Sequence, residues 1–195
     1  MAIELDLSQD NGERDAVAPG KAQAIFTKFN EYAHAKSGSH TAEFEIVAHD
    51  DKEQNGKTPV EFFSSKAGAA FRLKTLAIAV GLATAEECEK AKEEGRAVSM
   101  EFNDAIGRQL FITLSEEEYQ GRKSVKIGPR AMYHLTDEKA KNHPRNVGML
   151  KRSGVPLDKI PGPGSASSAT SASPAAKSQT PPPPAPPADD LFKLS

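Results

Sequence analysis

Few residues in this 195-residue chain have the types and spacing that covalent or metal chemistry needs. The single cysteine, Cys88, lies between Glu87 and Glu89, where neighbouring negative charge disfavours a nucleophilic thiolate. One cysteine makes neither an internal disulfide nor a Cys/His zinc set, which fits a reducing compartment. His34, His40 and His49 are spaced to meet across a hairpin, but none forms the i, i+4 pair of a helical zinc site. Asp50, Asp51, Glu53 and Glu61, with Lys57 and Lys66, have the residue types of a metal-dependent nuclease. Flanking an Asn-Gly turn, they read better as soluble loop residues. Phosphate-cradling Gly-x-x-x-x-Gly-Lys-Ser/Thr and nucleophile-elbow Gly-x-Ser-x-Gly sequences are absent. The expectation is a protein that is not an enzyme and uses no metal and no cofactor.

What remains is binding. A single-strand nucleic-acid binder needs cations for phosphates and aromatic faces for bases. The candidate rings are Phe29, Tyr32, Phe62, Phe63, Tyr119 and Tyr133, and in a small domain each Phe also competes for the core. Phe62 and Phe63 are adjacent, so in a strand one of them faces outward. Phe63 enters the predicted site with Tyr32, Tyr119 and Tyr133. The candidate phosphate contacts are Lys28, Lys36, Lys57 and Arg108, joined by Arg122, Lys123, Lys126 and Arg130 from a basic strip. That strip is the second half of a charge division that the overall net charge of −2 hides: residues 1–119 carry −9 and residues 120–152 carry +7. Such a division orients a field toward polyanions on one side.

These residues must be positioned by a body that reads as mostly β. Residues 21–35 have strand-like composition, and residues 41–48 place Phe44 and Ile46 on one face with Glu43 and Glu45 on the other. Asn55-Gly56 marks a turn before a short strand at 60–63. The period then changes. Ala69, Leu73, Leu76, Ala77 and Val80 share one helical face, and Gly81 stops the helix. Thr84 and Glu87 have capping-box spacing and start a second, polar helix ending near Gly95. Alternation at Val98, Met100 and Phe102, and again at Leu110, Ile112 and Leu114, predicts two more strands. A last strand is expected at 124–127, beyond a charged hairpin at 116–123. Counting 124–127 as a sixth strand beyond the five, five strands with a helix between the third and fourth is the order of a five-stranded OB-fold-like barrel. An SH3-like barrel or a small sandwich would carry a similar order.

Residues 161–195 hold 9 Pro, 7 Ser and 7 Ala, too little apolar surface to offset ordering entropy, so a disordered C-terminal tail is expected. It closes with Asp189, Asp190, Leu191 and Phe192, an acidic pair and two apolar residues that read as a partner-recruiting tip. The expected organisation is a flexible segment 1–17, a binding domain 18–150, a linker 151–188 and the tip 189–195. No segment has the length and apolarity of a membrane span, so no membrane partner is expected and the predicted location is cytoplasmic. The helix stripe requires no oligomer interface, which leaves the oligomeric state open.

The pieces Ala18-Pro-Gly-Lys, Lys36-Ser-Gly-Ser and Phe44-Glu-Ile-Val resemble the opening of small phage-encoded OB-fold single-stranded DNA-binding proteins that accompany replication and recombination genes. The resemblance continues through Asn55-Gly-Lys, Phe62-Phe-Ser, Phe71-Arg-Leu-Lys-Thr-Leu, Val80-Gly-Leu, Gly95-Arg-Ala-Val and Glu118-Tyr-Gln-Gly-Arg-Lys-Ser-Val-Lys-Ile, over residues 18–130. It implies a protein that coats single-stranded DNA in the host cytoplasm with little sequence preference. Asp189-Asp-Leu-Phe is similar to the acidic tip of bacterial single-strand binders, although Lys193, Leu194 and Ser195 follow it. Ala188-Asp-Asp-Leu-Phe also resembles a sliding-clamp pentapeptide lacking its leading glutamine. Either likeness implies recruitment of replication or recombination proteins. Two other readings stay open: a protein-interaction adaptor with weak DNA binding, and a binder that accepts duplex DNA through the basic strip.

Overall fold

The computed structural model describes residues 17–31, 38–66 and 68–162, apart from the side chains of Glu31, Tyr119 and Arg122. Five antiparallel strands form one sheet in the order β3-β2-β1-β4-β5. They are β1 (Gly20–Glu31), β2 (Ser39–His49), β3 (Val60–Ser64), β4 (Gln109–Tyr119) and β5 (Arg122–Tyr133). Between β3 and β4 come α1 (Ala70–Ala79) and α2 (Ala85–Glu93), and a one-turn helix, α3 (Val147–Leu150), follows the sheet. The protein is thus mostly β, as its periodicities predict.

Local chemistry explains the helix ends. Thr84 and Glu87 form the expected capping box at the start of α2. Gly81, at φ 69°, ends α1 in a Schellman motif, with Leu82 N–H donating to the Ala77 carbonyl at 2.8 Å and Gly81 N–H to Ile78 at 3.1 Å. On the inner face of the sheet, Phe26, Phe44, Ile46, Phe63, Leu110, Ile112 and Ile127 pack with Leu76 and Ala77 of α1 and with Val80 at its C-terminal cap.

Two expectations change. The alternation at Val98, Met100 and Phe102 does not make a strand: residues 97–101 are irregular and Phe102 begins a 3-10 turn. Both edges of β1 are already taken by β2 and β4; from the irregular segment Met100 and Phe102 pack against the core, while Val98 stays exposed. Phe102 stacks on Phe29 at 4.5 Å instead. The total of five strands is kept because the last strand is real and much longer than four residues. The packed unit also runs past residue 150. Phe111, on the outer face of β4, is covered by Leu135, Ala140, Leu150 and Ile160, so residues 151–162 belong to the body rather than to a linker. A polar relay pins this wrap: Gln23 donates to Gln109 at 2.7 Å, Gln109 to the Met149 carbonyl at 2.8 Å, and Asn146 N–H to Gln23 at 2.6 Å.

The sheet does not close into a hydrogen-bonded barrel, because among the described residues β3 and β5 share no ladder. Side chains bridge them instead. Glu61 of β3 points inward, accepts a hydrogen bond from Ile127 N–H of β5 at 3.0 Å, and pairs with Arg72 of α1 at 3.0 Å. Arg72 in turn donates to the carbonyls of Phe62 and Ile127, both at 3.1 Å, and lies over the Phe63 ring. Removing one member of a buried pair strands the other, which costs about 3–5 kcal/mol. Urea unfolding of Arg72→Ala or Glu61→Ala should show a loss of that size, with the double variant losing less than the sum. A loss below about 1 kcal/mol, the level of an exposed pair, would mean that other contacts hold the seam.

The wrap also carries a pH dependence. His143 is buried between Phe111 and Tyr133 and shares a 3.1 Å hydrogen bond with Thr113. Burial, and then the Lys21 cation, hold its imidazole below the ordinary 6.5. As the pH falls past 6.5 the unfolded chain takes up that proton before the folded one, so stability present above 6.5 is lost on acidification toward the lower folded value. Burial shifts His134 in the same direction. Melting temperatures measured from about pH 7 to about pH 5 should fall less steeply for His143→Gln than for the native chain. Parallel curves would refute the assignment.

Candidate nucleic-acid interface

The orientation of β3 decides which rings are available. Its outward positions are Val60, Phe62 and Ser64, and its inward positions are Glu61 and Phe63. Phe63 is 2% exposed and packs in the core, so its predicted role as a base-stacking ring is corrected: Phe62, 49% exposed, is the outward ring. A glutamate normally faces water, and that rule would turn Phe63 outward with it. The pairing of Glu61 with Arg72 and the Ile127 amide inverts the strand.

Phe62 lies in a groove between the β3 and β5 edges, with Pro59, Val60, Val125, Lys123 and Lys126 among its lining residues. The cations here are partly spoken for. Lys123 pairs with Glu116 at 2.8 Å, and Lys126 with Glu117 at 3.7 Å, both across the β4–β5 hairpin. Lys28 of β1 likewise pairs with Glu43 of β2 at 3.4 Å. All three lysines are exposed, so these pairs are weak and open to exchange for a phosphate.

Further along β5, Arg130 and Tyr133 line a cavity with Phe71 of α1. Among the described residues no carboxylate lies within 4 Å of Arg130. Tyr133 is half-buried, its ring edge-on to His143 at 5.4 Å. Tyr119 and Arg122 face each other in register at the hairpin end, joined by Gln120 and Gly121. Both of those turn residues have positive φ, 52° and 76°, matching a tight two-residue hairpin turn.

Other predicted residues are placed apart from this track. Arg108, exposed, donates from Nη1 to the carbonyls of Val80 at 3.1 Å and Gly81 at 2.8 Å, completing the C-terminal end of α1. Lys57 sits in the turn before β3, where its N–H donates to the Gln54 carbonyl. Tyr32, Lys36 and the tip residues Asp189, Asp190, Leu191 and Phe192 lie outside the described residues. His40 stacks on Phe29, while His49 Nδ1 accepts the Asp51 N–H. Among the described residues no three His, Cys, Asp or Glu side chains gather as metal ligands, and no helix is long and apolar enough to cross a membrane.

Sequence reasoning named Phe62 as a candidate ring but, by strand parity, put Phe63 in the site, and it missed Phe71. The signal for Phe71 was present: it is an aromatic residue off the buried stripe of α1, and it is 43% exposed. No protein-family model matches the chain, and no curated protein is significantly similar to it.

Proposed function

We propose that the protein binds single-stranded DNA along the seam between β3 and β5, as a member of the phage-type OB-fold single-strand binders that its sequence resembles. The observation that carries this reading is Phe62, an exposed ring on an outward strand face, set in a groove with Lys123 and Lys126. Exposed rings stack on any base, and flexible cations follow the phosphates, so binding of this kind has little sequence preference. The sheet order supports an OB-type architecture, a five-stranded and partly open barrel that binds oligonucleotides through its strand 2–3 face and its 1–2 and 4–5 loops. On that likeness, Phe62 and the β4–β5 hairpin are the counterparts of those elements. The tail then recruits replication or recombination proteins through Asp189, Asp190, Leu191 and Phe192.

One observation favours the adaptor reading. Lys28, Lys123 and Lys126 already have carboxylate partners, which weakens the field presented to a polyanion.

Fluorescence anisotropy with a labelled oligo-dT and the matching duplex, at two salt concentrations, separates the readings. Groove-and-stacking predicts a preference for the single strand and a loss of about five- to a hundredfold in Phe62→Ala, the size of one base–aromatic stack. Lys123→Ala should also flatten the salt dependence by about 0.7 in log–log slope, one phosphate contact on a single strand. Equal binding of duplex, unmoved by Phe62→Ala, would overturn stacking in favour of the basic strip. An absence of binding at low salt would leave the adaptor.

A further inference from the structure

The far end of β5 carries a feature that neither the sheet nor the core requires. Leu114 pairs with Ile127 and Ile112 with Met132, so residues 128–131 of β5 all stand opposite Thr113 alone. A bulge of this size re-aims side chains and interrupts pairing, and such bulges gather beside functional sites. Gly128 lets it turn tightly, since a Cβ there would meet the Ala131 Cβ at 3.1 Å.

The bulge carries Arg130 to α1, beside a cavity of about 480 Å³ walled by Phe71, Pro129, Ala131 and Tyr133. A neighbouring cavity of about 320 Å³ shares Phe71, Arg130 and Tyr133 and adds Lys139. Two observations point to the occupant. Phe71 is held open on a helix whose buried residues are Leu76, Ala77 and Ala79, so packing does not place it. Arg130 and Lys139 also lack, among the described residues, the carboxylate partners that occupy Lys123 and Lys126. Asp137, which lines the second cavity with them, caps the Lys139 N–H through its carboxylate at 2.9 Å and makes no ion pair with either cation within 4 Å.

We propose that this end of β5 is a second subsite for the same DNA strand, in which a base stacks on Phe71 and its phosphates meet Arg130 and Lys139. It rests on the single-strand reading above and extends it: the strand passes the Glu61–Arg72 bridge and continues along β5 to α1. A base inside a duplex has its faces covered by its neighbours, so this subsite selects single strands. Among the described residues, its Arg130 and Lys139 have no carboxylate to give up before they neutralise phosphate.

The chain contains no tryptophan, so Phe71→Trp introduces a unique fluorophore at the subsite. An oligo-dT of about 15 nucleotides, near the upper reach of one OB-type fold, should quench it. On the same oligonucleotide Phe71→Ala should bind about five- to a hundredfold more weakly. Arg130→Ala should lower the log–log salt slope by about 0.7. Because both side chains are exposed, melting temperatures should match the native chain. Unquenched Trp, with native-like binding by Phe71→Ala and Arg130→Ala while Phe62→Ala weakens it, would overturn the second subsite and leave the single-strand reading standing. No binding by the native chain at low salt would overturn both.

Discussion

Glu61 points into the protein, and much of the rest follows from that. An unpaired buried carboxylate would be too unfavourable to keep. Here it is met by the Ile127 amide and by Arg72, which in turn satisfies the Phe62 and Ile127 carbonyls. One charged pair thereby joins three elements, β3, α1 and β5, where the sheet itself provides no ladder. The same inward turn sends Phe63 into the core under the guanidinium and leaves Phe62 on the surface. The seam and the ring exposed beside it are therefore consequences of one electrostatic arrangement.

The sheet is covered differently on its two faces. Inside, α1 closes over the rows of Phe26, Phe44 and Ile112. Outside, residues 134–162 wrap over Phe111, with Gln23, Gln109 and Asn146 satisfying one another in the layer between. This divides the basic strip by role. Arg145 lies over the Phe111 ring and His143 is buried beneath the wrap, so both hold the wrap in place. Lys123 and Lys126 are tied to carboxylates of β4, and Arg130 and Lys139 remain available on the surface. Net charge overstates the attraction at the hairpin and understates it at the bulge, because pairing rather than composition decides which cations meet a ligand.

These arrangements combine into one surface running along β5, with Phe62 at one end, Phe71 and Tyr133 at the other, and the Glu61–Arg72 bridge between. A strand edge suits the proposed binding. Its side chains alternate at a regular rise, its partner elements hold it rigidly, and a bulge turns one stretch toward a neighbouring helix.

Much of this was legible in the residues themselves. Period-two alternation marked β2 and β4, the Asn55-Gly56 turn marked the start of β3, the stripe of Leu76, Ala77 and Val80 marked α1, and Thr84 with Glu87 marked the start of α2. These signals are local, since each depends only on which side chains share a face within one element. Tertiary structure decided the rest. Val98 to Phe102 has a strand's alternation but joins no ladder, and its Phe102 stacks on Phe29 instead; β5 extends far beyond its alternating core because β4 and the bulge accommodate it. Whether Phe62 or Phe63 faces water depended on an arginine ten residues away from Phe62 in α1 and an amide in β5. Sequence by itself determined the elements and the supply of rings and cations. Only the fold decided which rings reach the surface and which cations are already paired, because burial and ion pairing are settled by partners distant in the chain, and no local pattern records them.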